Sequence, residues 1–482
     1  MKTSMGIVVA ATAVMAAATV AAKAQVGCLG QLANRSVLNI QRTMKALDES
    51  TAENPATVRL LFYGQSITQQ GWTKLLMANL KKRYPTVNFI WENRAIGGFE
   101  SPSLIKTAES DLYPFYPDIL FFHVYGPLDK YEEIVRRVRE RTTAEIVLWT
   151  SHLRRAEDPA TMLRSRDARS LRILEIAEKY GCLAVDLNRK WSEMMVGYGY
   201  TMDDLLKDVI HMKESGPALP AYAAFVGGEL VRVPGTAGCP EYSGTVSSVK
   251  LDDSSVTRGE DGTIVLSFTG NRVVAVSDGT GAEGATATLL LDGRPVASYP
   301  EMFANTRPSA IVNWMPMIKL VTRRDGALPV AEDWTLTYIE GTQPDGQKIH
   351  FRLDGSETGF DGEGWNTEAF ASNSGRAVIA PEDFGIWQYK YVKGKQPYVD
   401  KGLDKAKVGD KVEWKTVKLF ADPYRPVPKG NQTVLVQNCK NGSHTLTIKP
   451  MGGVLGIGSF IVNAPWSGLR GTPAGVRAEG VR

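Results

Sequence analysis

The sequence predicts an α/β domain built on a parallel sheet, followed by an all-β region of sandwich type. Two textures predict this. From Val58 to about Gly227, short apolar runs alternate with amphipathic stretches, the pattern of a sheet covered by helices on both faces. After about Val233 helical periodicity fades, glycine turns multiply and short alternating runs take over. A chain of 482 residues exceeds what one core usually holds, so two or three domains are expected.

The elements follow in order. "MKTSMGIVVAATAVMAAATVAAKAQ" has Lys2 near its start, an Ala/Val-rich run, and Ala22-Lys23-Ala24 as an A-x-A pattern. It reads as a secretory signal over residues 1–24, cleaved before Gln25, and so as export to the periplasm or beyond. Residues 25–56 are a lead-in. Over 57–232, "VRLLFYG", "VNFIW", "DILFFHV", "EIVLWT" and "CLAVDL" are strands, and "TQQGWTKLLMANLKKRY", "KYEEIVRRVRERT" and "DARSLRILEIAEKYG" are helices between them. Over 233–465, runs such as "GTIVLSFTGNRVVAVS", "ATATLLLDGRPV" and "SHTLTIKP" are strands, with Asp292-Gly293 and Asn441-Gly442 as turns. Residues 301–426 are too long for a loop and read as a second β unit inserted in the first. Residues 466–482 have the composition of a frayed tail.

Composition excludes several classes. Hydrophobic and charged contents of 43% and 22% are those of ordinary globular protein. The formal net charge is +4, and loss of Lys2 and Lys23 leaves about +2, too little for a nucleic-acid partner. No later stretch is apolar for long enough to span a bilayer. Of the four cysteines, Cys182 reads as a buried free thiol, and Cys239 and Cys439 are placed to join the two ends of the β region. Their spacing is not that of a zinc site.

"LLFYGQSITQQGW" sets Ser66 at a strand-to-helix turn, beyond the carboxyl end of a strand, where active residues of such sheets collect. A serine there is a helix N-cap or a nucleophile. A nucleophile needs a base, and five histidines are available. His350 and His444 lie in β-rich text and read as strand or surface residues. His211 stands three residues after Asp208 in "DVIH", a spacing that turns both side chains the same way on a turn or short helix. The Asp208 carboxylate can then hold the imidazole toward a hydroxyl. "NRAIGGFES" carries Gly97-Gly98 at the next strand end, either a tight turn or a backbone N–H open to close approach.

Taken in order, "GQSIT", "NRAIGG" and "DVIH" resemble the SGNH (GDSL-type) hydrolase superfamily over about Val58 to Gly227. The resemblance implies a flavodoxin-like three-layer domain, here with a jelly-roll-like β companion. It implies Ser66 as nucleophile, Asp208 and His211 as its triad partners, and the Ser66 and Gly98 N–H groups as oxyanion donors. No metal and no organic cofactor would be required. The aspartate of the first block is replaced by Gln65. The asparagine that the family supplies after the third strand falls on Leu128 in "HVYGPLDKYEE", which has no donor; Gly126 and Asp129 match their places. Gln65, His123, Tyr125 and His152 stand near the right strand ends as additional polar candidates. The implied activity is deacylation, often deacetylation, of an acylated carbohydrate substrate by a secreted carbohydrate esterase. The alternative, favoured by Leu128, is a catalytically weak SGNH-like protein serving as a glycan-binding or scaffold module. Trp314, Trp334, Trp365, Trp387 and Trp414 are candidates for sugar stacking or for the core. "RLDGSETGFDGEGWN" reads as a solvated turn, with a binding or calcium loop as its rival. Neither the acyl group, the sugar nor the oligomeric state is fixed by the sequence.

Overall fold

The computed structural model describes residues 35–236, 240–309 and 316–466. The segment expected to be a secretory signal, Cys28, Cys239, Trp314 and the tail from 467 onward lie outside the described residues.

The first domain carries five parallel strands: β1 (Thr57–Gly64), β2 (Asn88–Asn93), β3 (Ile119–His123), β4 (Glu145–Trp149) and β5 (Leu183–Val185). Their order is β2-β1-β3-β4-β5, so the chain reverses direction across the sheet between β1 and β3. Ligands of such sheets bind at that switch point, beyond the carboxyl ends of the strands. β3 and β4 are buried along their whole length, which is why each reads as an unbroken apolar run. β1 divides its side chains: Leu60 and Phe62 enter one face with Trp72 and Trp149, while Leu61 and Tyr63 enter the other with Leu104 and Phe122. The helices used below are α1 (Ser66–Gln69), α2 (Trp72–Arg83), α3 (Ser101–Asp111), α4 (Leu128–Arg141), α5 (Ala168–Lys179), α6 (Leu187–Tyr198) and α7 (Ala218–Gly227). From residue 35 on, the lead-in is part of this domain, since Ile40, Met44 and Leu47 pack into its core.

The single helix expected after Ser66 is two. The backbone turns extended at Gln70, and Gly71 is the N-cap of the second helix. The break frees the Gln70 side chain for a long-range role described below.

The second region is antiparallel. One sheet contains β6 (Thr245–Lys250), β7 (Val256–Arg258), β8 (Ile264–Ser277), β9 (Ala287–Leu291), β10 (Arg294–Pro295), β18 (Gln432–Pro450) and β19 (Ile457–Ala464). The register shift between Gln437 and Gly442 bends the long β8–β18 pair. The start of β8 then pairs with β7 and its end with β19, and one core forms inside the bend from Leu266, Leu289, Val273 and Phe460. Gly270 lies at this bend, because a Cβ there would come within 2.3 Å of the Asn463 carbonyl oxygen.

Between β10 and β18 the chain builds a separate sheet of order β11-β17-β12-β13-β14, from β11 (Phe303–Asn305), β12 (Glu332–Tyr338), β13 (His350–Gly355), β14 (Gly359–Trp365) and β17 (Lys411–Lys418). A two-stranded ribbon of β15 (Phe370–Ala371) and β16 (Val378–Ile379) and a short helix, α8 (Trp387–Val392), complete this unit. Trp334 and Trp414 stack at 6.1 Å in its core and are lost to any ligand. "RLDGSETGFDGEGWN" is the β13–β14 hairpin rather than a loop, and the buried Asp361 accepts from Ser374 N and Oγ. Cys182 and Cys439 are both buried free thiols, and the expected Cys239–Cys439 pairing falls outside the described residues at Cys239. Cys439 is part of the bent sheet's core.

The bent sheet docks on the amino-terminal end of the parallel strands through polar groups. Tyr116 Oη donates to Asn271 Oδ1 at 2.7 Å, Gln437 Nε2 donates to the Pro114 carbonyl at 2.9 Å, and Asn463 Nδ2 donates to Thr143 Oγ1 at 2.9 Å. The opposite, carboxyl end is left open for the site.

Phe62 anchors the face under that site, with Trp72 at 5.7 Å edge-on and Phe121 at 4.9 Å. Phe62→Ala is expected to lower the unfolding free energy by about 3–5 kcal/mol, read by denaturant melts. A loss below about 1 kcal/mol would mean that the core can collapse around the cavity.

Candidate active site

β1 ends at Gly64, and α1 starts at once. Gly64 has no room for a side chain: a Cβ would come within 2.3 Å of the His123 carbonyl oxygen and 2.5 Å of Thr68 Oγ1. The tight passage lifts Ser66 to the crest of the turn. Gln65, not Ser66, caps the helix, its Oε1 accepting from Ile67 N at 3.1 Å. The Ser66 hydroxyl is thereby left for other partners.

His211 Nε2 lies 2.8 Å from Ser66 Oγ, and His211 Nδ1 lies 2.8 Å from Asp208 Oδ2. The structure thus brings together the three residues expected to form a triad. The other carboxylate oxygen, Asp208 Oδ1, accepts from the backbone N–H groups of Ile210 and His211 at 2.9 and 2.8 Å. Burial pushes the Asp208 pKa up, but those two N–H groups and the His211 ring outweigh it and bring it to about 2. The carboxylate is therefore ionised at every pH where the protein would work. An ionised Asp208 fixes the proton of neutral His211 on Nδ1 and leaves Nε2 bare to accept from Ser66.

The segment bearing His211 is a loop, not the short helix that the spacing allowed. It is held on three sides. Leu206 bridges Met212, with Lys207 N donating to the His211 carbonyl at 2.9 Å. Gln70 clamps Met212 from α1's side: its Nε2 donates to the Met212 carbonyl at 2.8 Å, and its Oε1 accepts from Met212 N at 3.1 Å. On the β4 side, His152 Nε2 donates to the Ile210 carbonyl at 2.7 Å and Arg155 N to the Val209 carbonyl at 3.0 Å. Gln70 and Arg155 were missed in the sequence, because a lone polar residue carries no local sign of a partner far along the chain.

Gly98 sits on the turn after β2 with φ +81°, a conformation that favours glycine. The turn is tied to the nucleophile: Ile96 N donates to the Gly64 carbonyl at 2.9 Å, Gln69 Nε2 to the Ala95 carbonyl at 3.0 Å, and Asn93 Nδ2 to the Thr68 carbonyl at 2.7 Å. Among the described residues, neither Ser66 N–H nor Gly98 N–H donates to a backbone acceptor outside the regular elements. Leu128 begins α4 and packs against the core of the Leu61 face, so apolar contact stands where a donor was sought.

The remaining polar candidates divide by role. Gln65 Oε1 is 2.8 Å from Ser66 Oγ, and its buried Nε2 has no partner among the described residues. His123 pairs with Gly64 across the β1–β3 ladder; its ring stacks on Trp149 at 5.5 Å, its Nε2 meets Ser151 Oγ at 3.1 Å, and its buried Nδ1 has no partner among the described residues. Tyr125 packs edge-on against that ring at 5.3 Å. His152 belongs to the tether of the His211 loop rather than to the nucleophile. Burial lowers the pKa of both histidines, His123 well below its ordinary value and His152 to about 4, so both stay neutral. No group of three or more His, Cys, Asp or Glu able to hold a metal ion occurs among the described residues.

The lowered His152 pKa makes stability depend on pH. The unfolded chain binds a proton near pH 6.5 and the folded chain only near 4, so stability is full above 6.5 and is lost as pH falls toward 4. At pH 5 this group alone costs about 2 kcal/mol, and His123 acts in the same direction. His152→Gln should flatten the fall of melting temperature between pH 7 and 5; an unchanged slope would overturn this assignment.

No protein-family model matches the chain, and no curated protein matches it. Solved structures do. A two-domain esterase active on acetylated mannans aligns at 14% identity over 88% of this chain and 95% of its own, with a TM-score of 0.35. A catalytic mutant of an acetylxylan esterase from Geobacillus stearothermophilus aligns at 20% identity over 37% of this chain and 96% of its own, with a TM-score of 0.33. An alpha/beta hydrolase enzyme from the metagenome of Lake Arreo, Spain, aligns at 22% identity over 38% of this chain and 100% of its own, with a TM-score of 0.31. Each is a likeness of fold.

Proposed function

We propose that the protein is an exported serine esterase that removes acyl groups, acetyl foremost, from glycan esters. The observation that carries this reading is the Ser66–His211–Asp208 chain, with 2.8 Å at each link, beside the Gly98 turn at the switch point of the sheet. His211 takes the Ser66 proton as Oγ attacks the ester carbonyl carbon. The Ser66 and Gly98 N–H groups face the developing oxyanion. His211 then protonates the departing sugar oxygen, and the acyl group remains on Ser66. A water molecule, deprotonated by His211, attacks the acyl-enzyme, releases the carboxylic acid and restores Ser66.

Leu128 leaves this oxyanion site without the side-chain donor that the resemblance to the SGNH superfamily would imply there. Gln65 is the substitute that the geometry favours. Its Oε1 accepts from Ile67 N and lies 2.8 Å from Ser66 Oγ, whereas its buried Nε2 has no partner among the described residues. An amide can serve there as a third donor; a carboxylate at the same position could not.

The rival reading is a glycan-binding module with the triad but little turnover, and Leu128 favours it. Hydrolysis of p-nitrophenyl acetate and of acetylated xylan or pectin separates the two. Wild type should turn over, and Ser66→Ala should fall to background; no wild-type turnover, or an equal rate in the mutant, refutes the esterase. Asp208→Asn should lower kcat by about 10²–10⁴ by freeing the imidazole tautomer. Gln65→Ala should lower kcat by about 10²–10³ if the amide is an oxyanion donor, with KM little changed. A Gln65→Ala enzyme of full kcat would leave Gln65 as a helix cap alone.

A further inference from the structure

The inserted β unit does not merely follow the α/β domain; it reaches its open end. Asp383, buried just before α8, accepts from Lys106 Nζ of α3 at 2.6 Å. Arg307, at the other end of the unit, makes a two-nitrogen contact with the buried Asp111 of the same helix and donates to the Arg94 carbonyl at 2.9 Å. These anchors lay α8 against the turn that carries Gly98. The Trp387 ring packs on Phe99 at 5.4 Å, and a Cβ built on Gly98 would lie 3.8 Å from its edge. Tyr391, one helical turn on, stands edge-on to Trp387 at 5.9 Å and is exposed.

The same stretch is strongly basic. Residues 387–407 hold six lysines and two aspartates, a local excess of +4 that equals the formal charge of the whole chain. Lys390, Lys393 and Lys395 are exposed, and no ion pair among the described residues engages them. Lys395 Nζ lies 3.4 Å above the Tyr391 ring, which places cation and aromatic surface together. An excess of like charge on one short stretch of chain is relieved by an anion.

From these contacts we infer that α8 forms a glycan subsite for acidic, uronate-bearing chains. An acyl carbonyl seated at Gly98 N–H brings its sugar against Trp387, whose ring face suits the C–H face of a pyranose. The carboxylate of that residue or its neighbour then meets Lys390, Lys393 and Lys395. This rests on the esterase reading for its register, but the binding itself needs no turnover.

The test is calorimetric titration of the full-length Ser66→Ala protein with trigalacturonate and with neutral xylotriose. Trigalacturonate should bind at least about tenfold more tightly than xylotriose in about 50 mM salt, with the gap narrowing in about 300 mM salt as screening grows. The triple variant Lys390→Gln, Lys393→Gln, Lys395→Gln should bind both sugars alike. Trp387→Ala should weaken both, and Trp387→Phe should recover most of the loss, with melting curves recorded for each. Equal affinity for the two sugars, no saturable binding of trigalacturonate, or full binding by Trp387→Ala overturns the subsite. Failure of wild type on p-nitrophenyl acetate with trigalacturonate binding intact refutes the esterase and leaves the subsite standing.

Discussion

The hydrogen bond between Ser66 Oγ and His211 Nε2 joins side chains 145 residues apart, and the rest of the site is organised around keeping it short. Neither residue belongs to a long regular element, so backbone hydrogen bonding alone does not fix either. The serine is fixed by the tight Gly64 passage and by a one-turn helix. The histidine is fixed through its neighbours: Gln70 holds Met212, His152 holds Ile210, and Arg155 holds Val209. Each tether ends on a main-chain group, so the loop's path is specified even where its side chains are exposed. A reacting pair needs placement within about 0.5 Å, and a loop with a single tether would not supply it.

Within this frame the proton arrangement follows from charge. Asp208 is half exposed, yet two backbone N–H groups keep it ionised, and the ionised form sets the His211 tautomer. Ser66 has one proton and two acceptors at 2.8 Å, His211 Nε2 and Gln65 Oε1. With an aspartate in place of Gln65, a second anion would compete for that proton and would stabilise the imidazolium in the free enzyme. A neutral amide competes more weakly and adds a donor. Set beside the motifs that the sequence resembles, Gln65 and Leu128 belong together: the amide at 65 is the donor proposed where residue 128 has none.

Much of the architecture was legible in the sequence because its causes are local. β3 and β4 are buried on both faces, and each therefore appears as an apolar run. The three spaced glycine, serine and histidine motifs were legible because each needs particular residue types at fixed offsets. The break at Gln70 was not, since a glycine inside a helical pattern is usually tolerated. Gln70, Arg155 and Trp387 act on segments remote in the chain, and nothing in their flanks marks this. The surroundings of Cys439 were not legible for a related reason: position along the chain says nothing about where a thiol packs, and Cys439 belongs to an apolar core.

The two β units stand in different relations to the chemistry. The bent sheet docks on the amino-terminal end of the parallel strands, where Arg272 lies buried over the Tyr116 ring at 4.8 Å, with no part of the reaction near it. The inserted unit runs along α3 to the carboxyl end, and its anchors are charged pairs whose carboxylates, Asp383 and Asp111, are buried. Burial pushes the Asp111 carboxyl up, and Arg307 is the group that opposes this. Such a pair adds little stability over an apolar contact, yet removing one partner strands the other at a cost of about 3–5 kcal/mol. It therefore fixes orientation more than it holds the parts together. Because the unit grips the helix that leads out of the Gly98 turn, its orientation sets the distance between α8 and the oxyanion position. Under the proposed reaction, the α/β domain supplies the chemistry and the inserted unit, gripping α3, is the part whose residues can select the sugar chain.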